Sequence, residues 1–367
     1  MTPRRKTLDA VSKAEQLDLA PRTERPPFEI IVRLPPARTT PVFDSYWRLA
    51  AERQEIFFRR LEGRPAPWTE DPILLQYKFT NAYRASDRVS QFLIREVIYS
   101  GEQDFTEVFF RIILFKLFNR IETWRRLVTE LGILSWATFD FGRYDAVLEG
   151  MKCAGESIYS AAYIMPSGGR GSEPERKHRM HLRLLARMMK EEVPKRITDC
   201  RRMQDAFELL RAYPTLGDFL AYQYVTDLNY SAALSFSERE FVVPGPGARD
   251  GIRKCFTDPG GLNEAELIRL CADRQEEAFA KLGLEFRSLW GRPLQLIDCQ
   301  NLFCETDKYA RVRHPEYTGR TGRTRIKQQF RKNLEPLRCF YPPKWGINEL
   351  IPPPLRAAPG AASSEGR

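Results

Sequence analysis

The stretch Phe105–Phe118, FTEVFFRIILFKLF, restricts the fold of this chain more than any other. As a helix its 14 residues would rise roughly 21 Å, short of the ~30 Å hydrocarbon layer of a membrane. It is also too apolar on every side to lie at a protein surface. The stretch therefore predicts a central buried helix. Lys116 lies inside it, with Asn119 and Thr123 on the same side and Glu122 as a candidate partner. A buried ammonium group must be paired or have its charge suppressed. Lys116 is thus either a salt-bridged or snorkelling structural lysine, or a desolvated base, nucleophile or phosphate contact.

A second informative stretch runs from Tyr213 to Gly251. Pro214-Thr215-Leu216-Gly217 reads as the turn of a helix-hairpin-helix element. In such a turn the backbone around Thr215 and Gly217, and the helix N-terminus that follows, face a DNA phosphate. Leu220, Tyr224 and Leu228 then recur at four-residue spacing and predict an apolar helix face. Gln223, Asp227 and Tyr230 follow at i, i+4 and i+7 along its edge. They either line a cleft or satisfy neighbouring polar groups.

Three further segments carry polar chemistry. Pro72 suits the first turn of a helix that would bear Asn81, Arg84 and Arg88 at i, i+3 and i+7, with Asp87 alongside. Two arginines, an amide and a carboxylate on one face suit bidentate phosphate or carboxylate contact. The alternative is an internal Arg–Asp network tying two helices together. Asp298–Lys308 gathers Asp298, Gln300, Asn301 and Glu305. Such groups can read a pyrimidine's Watson–Crick edge, or equally cap helices and turns. Residues 311–332 hold eight Lys/Arg and one Glu, with glycines interleaved. Arg320, Arg323, Arg325 and Lys327 are the expected DNA-backbone contacts there.

Along the rest of the chain, helices are expected over Phe43–Glu62, from Met180 onward, and from about Asn263 to Leu282. Residues 1–27 read as a disordered arm, 28–33 as a short strand, and the tail from Pro352 as disordered. The Ser/Gly/Pro-rich segment 166–178 reads as a linker. It would divide a lobe at 28–165 from a lobe at 179–351.

Four blocks together carry a family resemblance: Phe79–Arg88, Phe115–Trp124, Asp298–Glu305 and Gly322–Gln328. They resemble the helical domain of 5-hydroxymethyl-deoxyuridine (5-hmdU) DNA kinase, whose relatives include α-glutamyl/putrescinyl thymine pyrophosphorylases. The hairpin region is also similar to the HhH-GPD DNA glycosylases. Their apolar run ends in Val-Val-Asp-Gly, where the Asp is catalytic. Here Pro244 stands in the place of that Asp, after Val242-Val243, and Thr215 replaces the first hairpin glycine. The resemblance implies an all-α fold, two helical lobes around a cleft, glycosylase-like in its second lobe. It implies action on a thymine-derived base extruded from DNA, whose activated 5-methylene group is substituted by an amine or amino acid. In that reading Asp227 orients or deprotonates the incoming amine. Lys116 and Arg84, with Asp87 nearby, stabilise the departing oxyanion. Asn81, Gln223, Tyr230, Gln300 and Asn301 hold the base. Two other readings are a DNA glycosylase using Asp227 or Glu240, and a non-catalytic DNA-binding module that serves a separate DNA kinase.

Composition bounds these readings. The balance of 58 Lys+Arg against 48 Asp+Glu leaves a net charge of +10. That suits a polyanion partner, or simple solubility. There is no GxxxxGK[ST] motif, and Gly245-Pro246-Gly247 lacks the Lys-Ser/Thr that would hold phosphate and Mg²⁺. Of seven cysteines only Cys299 and Cys304 are close, and the three histidines form no HExxH. Neither a cluster, nor a zinc site, nor another cofactor is predicted. With no secretory signal and no membrane-length apolar run, the expected location is intracellular, either the cytoplasm of a prokaryote or the nucleus of a eukaryote.

Overall fold

The apolar run does form the central helix. In the computed structural model, which describes residues 35–160, 176–333 and 335–353, every residue of Phe105–Phe118 except Thr106 is buried. The fold is all-α, and the described residues from Pro36 onward belong to one compact unit. Among them are α1 (Pro41–Leu61), α2 (Pro72–Gln76), α3 (Arg88–Phe92), α4 (Phe105–Phe118), α5 (Ile121–Leu131), α6 (Phe141–Cys153) and α7 (Lys177–Lys190). They continue with α8 (Val193–Thr198), α9 (Met203–Arg211), α10 (Asp218–Leu228), α11 (Pro246–Cys255), α12 (Glu264–Asp273), α13 (Gln275–Lys281) and α14 (Leu296–Arg313). The described strands are two short ones, Arg38–Thr39 and Phe256–Asp258, paired antiparallel.

Local chemistry sets the ends of these helices. Thr40 caps α1 by accepting from Val42 N at 3.1 Å, with Pro41 at the first position. Asp104 starts α4, and Asn119 ends it in the left-handed region at φ 49°. Pairs Asn263/Glu266 and Gln295/Asp298 form capping boxes on α12 and α14. One hydrophobic cluster runs from Val42 to Ile347, and α4 and α10 lie within it. On α10 everything from Leu220 to Leu228 is buried, so its polar residues face other protein groups.

Two helices differ from expectation. The helix opened by Pro72 stops at Gln76, so Asn81, Arg84 and Arg88 share no helical face. The chain at Tyr77 bridges Gln329 instead, and Lys78 N donates to Gln328 O at 3.0 Å. Arg84 then falls in a 3-10 turn, Arg84–Ser86. The helix expected from Asn263 to Leu282 is broken at Arg274 into α12 and α13. The arm at 1–27, the strand at 28–33, most of the linker at 166–178 and nearly all of the tail lie outside the described residues. Lys177 and His178, at the linker's end, already belong to α7.

Candidate functional site

Lys116 on α4 and Asp227 on α10 meet where the two central helices touch. Lys116 Nζ lies 3.0 Å from Asp227 Oδ2, and Arg84 Nη1 donates to Asp227 Oδ1 at 2.6 Å. Arg84 also donates through Nε to Gln223 Oε1 at 3.0 Å and through Nη1 to Tyr230 Oη at 3.1 Å. The i, i+4, i+7 spacing of Gln223, Asp227 and Tyr230 thus becomes one cradle for one guanidinium group. Lys116 donates a further bond to Asn119 Oδ1 at 3.0 Å. Glu122, the partner suggested by its place in the sequence, pairs instead with Arg120 at the surface, because it lies on the outer side of α5.

This centre is sealed. Arg84 and Lys116 are each 3% exposed and Asp227 is 0% exposed. Trp345 covers Tyr230 edge-on, with ring centroids 5.7 Å apart. Burial alone would raise the Asp227 pKa, but Arg84 and then Lys116 outweigh it and hold the carboxyl below its usual range. Burial lowers the Lys116 pKa against the pull of Asp227. A charged aspartate here is therefore an anchor for two cations, and a poor proton acceptor.

A second polar group lies along the turn that carries Arg84. Asp87 Oδ1 accepts from Asn81 N at 2.8 Å, and Asn81 Oδ1 accepts from Arg53 Nη2 at 3.0 Å. Arg53 Nε also donates to Thr80 O at 2.8 Å, while Thr80 N donates to Glu305 Oε2 at 2.9 Å. Burial raises the Asp87 pKa to about 7, against the Asn81 N–H and with the aid of Glu305. Asp298 binds Arg84 from the other side, accepting from its backbone N at 2.8 Å, and burial raises it to about 6. Arg53 gave no local signal in the sequence, since its partners Thr80 and Asn81 lie 27 and 28 residues away.

The remaining expected site residues fall elsewhere. Gln300 is fully buried on α14 and donates to Cys304 Sγ at 3.2 Å. Asn301 is half-buried on the same helix. Thr215 takes a positive φ of 70° in the turn between α9 and α10, and Gly217 precedes α10 as its N-cap. Arg320, Arg323, Arg325 and Lys327 are all exposed, on a segment that is firmly held. Asp250 of α11 accepts from Arg320 N at 2.8 Å and from the Thr321 hydroxyl. Ile326 is buried in a satellite cluster with Leu49, Ile56, Trp68, Ile73, Leu74 and Phe79. Phe330 N donates to Gln76 O at 2.9 Å. The basic side chains are thus displayed on an anchored backbone. No helix among the described residues is long and apolar enough to cross a membrane.

A helical protein with a buried centre in which Arg84 and Lys116 share Asp227, and with an anchored basic edge, is the class these features define. Its family follows from the match of residues 40–319: the chain belongs to the 5-hmdU DNA kinase helical-domain family. It is 26% identical over 305 residues to the 5-hmdU DNA kinase of Bacillus phage SP10, covering 77% of this chain and 47% of that protein. The chain therefore spans about half the length of that relative. No solved structure matches it.

Proposed function

We propose that this protein binds DNA and substitutes the activated 5-methylene group of a thymine-derived base with an amine or amino acid. One observation carries the reading: Asp87, with its pKa near 7, is joined through Asn81 to Arg53, beside the anchored basic segment. In the proposed step the amine nitrogen forms a C–N bond at the 5-methylene carbon. The C–O bond to the phosphate or pyrophosphate breaks, and its electron pair leaves on the phosphate oxygen. Asp87 takes the amine proton. This assigns proton transfer to Asp87 in preference to Asp227, whose two oxygens already serve Arg84 and Lys116. Arg84, Lys116, Gln223 and Tyr230 fix the turn that presents Asp87, and Arg53 faces the leaving group. The turn between α9 and α10 is the proposed helix-hairpin-helix contact to a DNA phosphate.

The test is the pH dependence of adduct formation on DNA whose 5-hydroxymethyluracil has been phosphorylated by a DNA kinase. A base acts in its deprotonated form, so the rate is expected to rise with pH through about 7. Asp87→Asn should lower it about a hundredfold or more and remove that rise. An Asp87→Asn protein with the wild-type rate and profile would reject the assignment.

A further inference from the structure

Beside the basic segment lies a cavity of about 260 Å³, between α1, α2 and the chain at Phe330. Its lining includes Arg53, Trp68, Leu75, Phe330 and Lys332. Leu75 and Phe330 stay 43% and 38% exposed, two large apolar side chains in one lining. Water-facing apolar surface gathered in a concave site marks a place where something binds. The wall behind it is fixed. Trp68 Nε1 donates to Arg64 O at 2.8 Å, and the Arg60 guanidinium lies 5.0 Å from the Trp68 ring centroid. Two cations belong to the lining, Arg53 and Lys332, and Lys332 is the last of the eight Lys/Arg of residues 311–332.

We propose that this cavity takes one unpaired nucleobase of a DNA strand, stacked against Phe330 and Trp68, with the adjoining phosphates on Lys332 and Arg53. Flat aromatic rings beside cations are the recurring means of holding single-stranded nucleic acid, because every base offers a π-face. The volume is below the ~300–1,000 Å³ of drug-sized sites, which suits a single base. The cavity also meets Arg53, whose other bonds lead to Asn81 and Asp87, so a base held here lies toward the acid–base turn. The proposal rests on the DNA reading given above, and it locates the base outside the sealed Arg84–Asp227–Lys116 centre.

Photocrosslinking of the 367-residue chain to a single-stranded oligonucleotide bearing one 5-iododeoxyuridine tests it, with peptide mass spectrometry to find the linked residue. The link is expected at Trp68 or Phe330. Phe330→Ala and Lys332→Ala, both at the surface, are expected to weaken single-strand binding by roughly tenfold and severalfold, respectively. Links confined to Tyr230 or Trp345, or two variants that bind like wild type, would overturn the cavity assignment while leaving base modification intact. A wild-type protein that binds no DNA would overturn both.

Discussion

An aspartate removed from water keeps its charge only if cations stand against it, and Asp227 has two. Replacing it with asparagine removes the carboxylate that Arg84 and Lys116 share in the interior. Asp227→Asn should therefore cost about 3–5 kcal/mol in denaturant unfolding at neutral pH. Lys116→Met combined with it should cost less than the sum of the two single changes. Because the Asp227 pKa is depressed, its contribution is present above the ordinary carboxylate range and is lost as pH falls below it. Additive losses in the double variant would mean that the two groups do not interact. At this scale the sequence was readable where partners are close in the chain: Gln223 and Asp227 share α10, and Tyr230 lies two residues past its end. Arg84, which joins them, lies 139 to 146 residues away, and no local periodicity reports such a pairing. The same limit made Glu122 look like the partner of Lys116.

Helices α11 and α14 pack so closely that side-chain size decides the contact. A Cβ added at Gly251 would sit 2.0 Å from the Phe303 carbonyl oxygen, which is backbone and cannot turn aside. Lys254 of α11 and Asp307 of α14 close the same interface with a buried 2.9 Å ion pair. Gly251→Ala should destabilise the protein by about 1–3 kcal/mol or more through overpacking. Gly150→Ala, on the exposed side of α6 with nothing within 4 Å, should stabilise it by up to about 1 kcal/mol. Equal unfolding midpoints for the two variants would contradict the close packing. Helix boundaries were legible where caps and apolar period agree: the expected Phe43–Glu62 is observed as Pro41–Leu61. After Pro72 they were not, because pairing of Tyr77 with Gln329 ends the helix from a distance of more than two hundred residues.

For the whole molecule, the apolar run of α4 made a central buried helix legible, the family resemblance carried the all-α fold, and the basic residues 311–332 marked a charged edge. What the sequence left hidden is how that edge is held: Asp250 at one end, Ile326 in the middle and Gln76 near the other tie it to three separate parts of the fold. The same anchoring brings Phe330 and Lys332 against Trp68 and Arg53, a grouping drawn from two ends of the chain. The function proposed for this assembly rests on chemistry done to a base in DNA. Its most direct measurement is nucleoside mass spectrometry of 5-hydroxymethyluracil DNA incubated with this protein, a DNA kinase with ATP, and a pool of amines and amino acids. A heavier thymidine adduct that appears only when this chain is present is the predicted result. Free base with abasic DNA, or bound DNA with no altered nucleoside, would contradict it.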